Sequence, residues 1–363
     1  MIAYLENSIS PLKRQLKWDN SGKQIYFGNE KICKIALALD PTAEAIKDAT
    51  SEGCGLLITH HPLFFDSLSS MDFSNKGSQK ILDAITNKLS IVSYHTNFDV
   101  ANYNLSDHIT SLIGAKKEGP LESTGSEKLY KFVVYIPAGY EDKIIDVIDK
   151  SGAGTIGNYR KCAFLAKGTG TFEPQEDTQP FIGTKGKFEK VNEYKLETIV
   201  REENIKSLIN NVLEIHPYEE VAYDVYKLEN EMVYGVGTKC YYEEPIYFDA
   251  FCKILKVTLN VKIMRMNKNM NNNEKVSKFC VVAGSGASYW HECKEQGYKI
   301  LVSGDLKHHD AIDARENDIT IIDVGHFELE KIYLQYIAER LKEKFNIDII
   351  LINESSPINY LEV

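Results

Sequence analysis

Two histidines stand side by side at His60-His61. Neighbouring residues of a strand point to opposite faces, so both imidazoles can reach one site only where the chain leaves the strand, and Pro62 forces that departure. By itself the pair is as well explained by loop imidazoles bonded to backbone. A second group follows at His95-Thr96-Asn97-Phe98-Asp99, where Asp99 offers a hard oxygen ligand and His95 a supporting or acid–base imidazole. The third is Asp323-Val324-Gly325-His326-Phe327-Glu328-Leu329-Glu330, in which His326 and Glu330 stand four apart at a helix start and share one face. A turn-forming aspartate or a solvated helix pair accounts for each group taken singly. Brought together, they supply the imidazoles of His60, His61 and His326 and the carboxylates of Asp99 and Glu330. That exceeds the roughly three protein ligands of an open catalytic zinc and suits two adjacent divalent metals.

The elements that must position these groups are strands ending at each of them. An apolar run at 32–39 stops at Asp40-Pro41-Thr42, a helical pattern spans 43–52, and a second run, 56–59, stops at the histidine pair. A helix over 77–89 then leads to a strand at 91–94 that ends before His95. Sites in open α/β sheets gather at such carboxyl ends of strands. Between 125 and 230 the rhythm changes to strand 129–136, helix 140–151, strand 161–167, strand 194–201, helix 203–214 and strand 220–228. This is the order of a ferredoxin-like α+β domain inserted into the α/β chain. Afterwards come helix 247–256, a polar low-complexity loop at 267–274, strand 279–283, helix 287–296, strand 299–302, helix 307–317, strand 319–323 and one long helix over 326–345. The expected fold is α/β: a two-lobed core of related strand-helix units, 1–124 and 231–363, around an inserted domain, 125–230.

With 363 residues, 43% apolar and 26% charged, the chain has ordinary globular composition and length for two or three domains. A formal charge of −10, without a basic cluster, lowers the expectation of nucleic-acid binding. No run approaches the roughly 18 apolar residues of a membrane helix, and residues 1–20 lack a signal-peptide core. Seven scattered cysteines without a CxxC pair read as reduced thiols of a cytoplasmic protein.

Several stretches carry a family resemblance: Trp18-Asp19-Asn20, ALALDPT at 36–42, LLITHHPLFF at 56–65, SYHTNFDVA at 93–101, VAGSGASY at 282–289, VSGDLKHHDA at 302–311 and the GHFELE segment. GNYRKCAF at 157–164 and HPYEEVAYDVY at 216–226 extend it through the insert. The chain resembles the NGG-one-interacting-factor-three-like family of dinuclear-metal hexamers, also labelled GTP cyclohydrolase one type two homologues, in its longer bacterial form. The resemblance places the metal ligands on His60, His61, Asp99, His326 and Glu330, with His95, Asp305 and His309 around them. It also implies a homohexamer. One departure stands out: the family usually continues Val-Gly-Leu-Gln after Trp18-Asp19-Asn20, and here Ser21-Gly22-Lys23-Gln24 follows, which implies an altered pocket rim.

Three other motifs compete for attention. Gly152-x-Gly154-x-x-Gly157 spells a dinucleotide fingerprint but follows a helix and precedes a strand, the wrong order for holding phosphate. Gly284-Ser285-Gly286 follows a strand and opens a helix, so it is either an anion-binding turn or simply a tight one. His216-Pro217-Tyr218-Glu219-Glu220 reads as a structural loop. The expected activity is a metal-dependent hydrolase using two divalent ions of Zn, Mn or Fe, with His95 and His309 moving protons, on a nucleotide or other phosphate-bearing small molecule. GTP cyclohydrolase-like ring opening is one version, and the alternative is a non-catalytic metal-binding scaffold.

Overall fold

The computed structural model describes residues 1–28, 31–157, 159–268, 270–359 and 361. Asn158 of the GNYRKCAF match and Asn269 of the polar loop lie outside them. The apolar run at 32–39 forms the strand Lys34–Ala38, buried along nearly its whole length, as a parallel strand covered on both faces must be. Thr42 caps the helix Ala43–Ser51 by accepting from the Ala45 amide at 3.0 Å. The strand Leu56–Thr59, the helix Lys76–Thr86 and the strand Ser90–Ser93 follow. The three strands pair in parallel, with Ile35 opposite Leu56 and Leu56 opposite Ser90. Asp348–Leu351 adds a parallel neighbour to the first strand, and Gly22–Ile25 an antiparallel edge beside the third.

The second sheet repeats this plan. Strands Lys275–Val281, Ile300–Ser303 and Thr320–Asp323 lie parallel and adjacent in that order, and the short strand Arg265–Met266 runs antiparallel beside the third. Thr238–Tyr247 and Lys116–Gly119 extend the other side in antiparallel fashion. Sequence periodicity missed Thr238–Tyr247 because Glu243-Glu244-Pro245 interrupts it. The ladder accommodates that interruption with a register shift between Tyr241 and Ile246. The expected lobes share a topology and, beside a smaller buried cluster of its own on each sheet, one common core. Ile35 and Ile58 of the first sheet, Phe279 and Ile322 of the second, and Phe251 and Ile337 of the helices Phe248–Thr258 and Ile332–Lys344 belong to one buried cluster. The long helix expected over 326–345 is divided at Lys331 into His326–Glu330 and Ile332–Lys344.

Residues 1–124 with 234–363 form one compact unit and residues 125–233 another. The second unit contains a four-stranded sheet in the order Ala163–Phe172, Glu189–Arg201, Glu122–Pro137, Tyr223–Val236, with helices Glu141–Lys150 and Ile205–Ile215. Phe132, Val134, Ile144, Leu196, Leu208 and Val212 are buried together as its own core. Its strands outrun the apolar segments because their outer parts, such as Gly168–Phe172, are half-exposed ladder without a buried face. Among the described residues no helix is long and apolar enough to cross a membrane, and all seven cysteines are free.

A Cβ added at Gly235 would lie 1.8 Å from the Glu122 carbonyl oxygen, so the two chain segments bounding the insert run side by side. Replacing residues 125–233 with a short Gly/Ser linker is therefore expected to leave a folded unit with a cooperative thermal transition. Loss of folded protein with every linker length, followed by circular dichroism, would show that the insert is needed for the core.

Candidate metal centre

Four imidazoles converge at the carboxyl ends of the parallel strands, and each is anchored through Nδ1. His60, fully buried one residue past Leu56–Thr59, donates from Nδ1 to the Tyr94 carbonyl at 2.9 Å. His61 donates to Asp40 Oδ1 at 2.9 Å, His95 to Asp19 Oδ1 at 2.9 Å and His326 to Asp305 Oδ2 at 2.8 Å. A carbonyl or carboxylate partner can only accept, which puts the proton on Nδ1 and leaves Nε2 as the free donor atom of each ring. The anchors are themselves held. Both backbone amides of Leu39 and Asp40 donate to Glu354. Asp19 accepts from Ser21 Oγ at 2.7 Å and from the Thr96 side chain at 2.6 Å. Ser21, where the family pattern has an apolar residue, thus adds a bond to the residue that orients His95.

Glu330 lies at the middle of this group and is only 3% exposed. Its Oε2 is 2.8 Å from His326 Nε2 and 3.2 Å from His61 Nε2, while its Oε1 is 3.7 Å from His60 Nε2. Asp99, at the end of the short helix Thr96–Asp99, brings Oδ1 to 3.9 Å from His60 Nε2. Two overlapping triplets have the spacing of a metal site, His60 with His61 and His95, and His61 with His326 and Glu330.

The backbone makes room for this crowding. A Cβ on Gly284, at φ +68°, would sit 2.2 Å from Glu330 Oε1, and one on Gly304 would sit 2.7 Å from the His326 amide. The Gly284 and Gly286 positions are thereby accounted for as close packing, since a Cβ on Gly286 would strike Val282 at 2.2 Å. Asp323 ties two of the loops together, accepting from the Leu306 amide at 3.0 Å and the Gly325 amide at 3.0 Å. Asp305 itself holds a left-handed backbone, φ +55°, to reach His326.

Electrostatically the centre is built for positive charge. Burial alone would push the His61 imidazole down, but Asp40 and Glu330 outweigh it and hold its pKa up at about 10. For His326 the opposing carboxylates are Glu330 and Asp305, and the result is about 9. Burial would raise Glu330, yet the surrounding imidazoles hold it well below the ordinary carboxylate range. Burial dominates at Asp99 and raises it. His60 Nε2 and Asp99 Oδ1 are buried without a hydrogen-bond partner, and His326 Nε2 and Glu330 Oε2 have only the cluster's own atoms to face. Orphan donor atoms of this mixed nitrogen and oxygen kind fit divalent cations.

The structure therefore brings together all five side chains picked from the sequence and adds His95. It does not bring His309, which is exposed on the first turn of the helix His308–Glu316 and joins neither triplet. Sequence reasoning assigned no role to Asp19 and Asp40, although Asp40 directly follows a strand end as the ligands do. His216, in the other unit, is satisfied by the Tyr135 carbonyl at 3.0 Å and the Tyr218 amide at 3.1 Å and is structural. The exposed rings of Trp18 and Phe65 lie 5.7 and 5.8 Å from that of His95 and line the accessible side of the cluster.

Residues 1–357 match the profile of the Duf34/NIF3 (NGG1p interacting factor 3) family. A protein of Halalkalibacterium halodurans named GTP cyclohydrolase 1 type 2 homolog is 36% identical over 335 residues, covering 92% of this chain and 89% of the relative. One of the same name from Bacillus subtilis is 31% identical, covering 99% and 98%. Among solved structures, a Bacillus cereus protein related to NIF3 superposes with a TM-score of 0.78 at 32% identity, covering 99% of this chain and 98% of that one. With its strand ends, anchored histidines and whole-length similarity all in agreement, this chain belongs to the Duf34/NIF3 family.

Proposed function

We propose that the chain is a metal-dependent hydrolase whose centre holds two divalent cations among His60, His61, His95, Asp99, His326 and Glu330, and whose substrate is a nucleotide or other phosphate-bearing small molecule. The observation that carries this reading is the set of orphan donor atoms around Glu330. His95 passes from proton shuttle to ligand, because its Nδ1 is committed to Asp19 like the Nδ1 of its three neighbours to their acceptors. Glu330 would hold cations together with these rings, since one of its oxygens lies toward His60 and the other toward His61 and His326. Cations in such a centre supply a water activated near neutral pH and polarise a substrate oxygen.

The chain's own residues do the positioning. Asp40, Asp19 and Asp305 fix ring orientation, and the Trp18 and Phe65 side leaves an approach for substrate. That open side favours an enzyme over the closed ligand sphere of a structural scaffold. Ring opening of GTP, suggested by the relatives' names, is one version, since it too adds water at a metal-activated carbon. With a net charge of −10 and glycines explained by packing, attraction for phosphate falls to the cations. The same reading includes a cytoplasmic homohexamer and a ferredoxin-like insert at 125–230, which light scattering and truncation address.

Elemental analysis of the purified chain is expected to find two divalent ions per protomer, with His326→Ala losing about one and Glu330→Ala losing most of both. Full metal content in both variants would overturn the ligand assignment.

Binding is also expected to depend on pH. Without metal, His61 and His326 carry protons up to about 10 and 9 respectively. Only the neutral rings ligate, so a cation must displace those protons at pH 7. Affinity then rises with pH by about tenfold per unit for each proton displaced and levels off above those values. Calorimetry in buffers of different ionisation heat should count about two protons released per protomer at pH 7. Zero protons would contradict the charge balance described.

A panel of nucleotides, phosphate esters, carboxylic esters and amides, offered to protein loaded in turn with Zn, Mn and Fe, tests the activity. Turnover of a phosphate-bearing member that falls by about 100-fold or more in Glu330→Ala is expected. Turnover confined to neutral members would reject the substrate class, and none at all with any metal would favour the scaffold.

A further inference from the structure

A cavity of about 460 Å³ lies wholly within the 125–233 unit, where the end of the strand Ala163–Phe172 meets the loops at 173–182 and 218–222. That volume suits a small organic ligand. Its walls carry the rings of Tyr135, Phe172, Phe181 and Tyr218. Phe172 and Phe181 each lie 6.3 Å from Tyr218, tilted by 58° and 51°, so neither ring covers Tyr218 face to face. The charged groups lining it are the carboxylates of Glu173, Glu193, Glu219 and Glu220; among the described lining residues there is no Lys, Arg or His.

Two of these carboxylates are fixed in place. Glu193 accepts from the Tyr218 hydroxyl at 2.9 Å, and its other oxygen occupies the space above Gly170, where a Cβ would lie 2.0 Å away. A glycine in a strand interior weakens the strand, and here it admits the carboxylate. Glu219 accepts from the Gln179 amide at 2.7 Å and pins the facing loop. Burial and then Glu193 push the Tyr218 hydroxyl above its ordinary pKa, which keeps it a neutral donor.

We propose that this cavity is a binding site for a small organic cation, a quaternary ammonium, protonated amine or guanidinium with an apolar body. Aromatic faces attract positive charge through their quadrupole, and the lining carboxylates supply the counter-charge. The same lining turns away phosphates and carboxylates by like-charge repulsion. The site shares no residue with the candidate metal centre.

The test uses the full-length, metal-loaded chain and three probes of similar size: benzyltrimethylammonium, benzyl alcohol and phenylacetate, titrated by calorimetry and by ligand-observed saturation-transfer NMR. The cation is expected to bind about tenfold or more tightly than the alcohol, with phenylacetate weakest. Phe181→Ala and Glu193→Gln should each weaken the cation about fivefold or more while leaving metal content unchanged. Phe181 is half exposed, so its truncation spares the core; should that variant misfold, Glu193→Gln alone decides. Equal affinity for alcohol and cation, no binding of the cation, or cation binding that survives both substitutions overturns the proposal.

Discussion

Burying a carboxylate away from water costs several kcal/mol unless opposite charge and hydrogen-bond donors surround it. Glu330 is such a group, almost wholly enclosed and facing three imidazoles. His60, His61 and His326 face it through Nε2, and the nitrogen behind each of those rings is held by an acceptor. The result is a layered charge pattern, acidic at the centre, imidazole around it, acceptors behind the rings. Protons can balance the pattern in part. Divalent cations would balance it with the ligand types those metals prefer.

Delivering that pattern is what the fold does. Each of the two sheets lays three consecutive strands side by side in parallel, so their carboxyl ends open in register. His60 and His61 leave one strand end, His95 and Asp99 a second, Asp40 a third. The matching ends of the other sheet provide Gly284, Asp305 and His326. A shared core under both sheets makes the separation of these loops a property of packed interior, and packed interiors resist small displacements. The glycines at 284 and 304 and the left-handed Asp305 mark where the backbone yields so that side chains can meet.

The 125–233 unit has its own core and its own four-stranded sheet. None of the candidate ligands belongs to it. Its cavity carries aromatic rings and carboxylates, whereas the cluster around Glu330 carries imidazoles that could hold a metal ion. The two residue groups thus lie on two independently packed units.

The strand-helix order, the inserted segment and five of the clustered side chains were legible from residue types alone. Apolar runs that stop at His-His-Pro, at His-Thr-Asn-Phe-Asp and at Gly-His-Phe-Glu-Leu-Glu are local signals, and parallel strands place such stops on one edge. The boundaries of Thr238–Tyr247 and of the insert's long strands were not legible, because exposed ladder residues need no apolar alternation. The role of His95 and the fate of His309 were decided only in three dimensions. Each is a histidine near a strand end, and sequence cannot distinguish them; one meets Asp19, 76 residues away, and turns toward the cluster, while the other faces solvent on a helix. Likewise Asp19, Asp40 and Glu354 are tied to the cluster and its anchors through partners that lie far off along the chain. Local pattern determines which side chains stand at a strand's end, and only long-range packing decides which acceptor holds each ring and so which nitrogen faces the cluster.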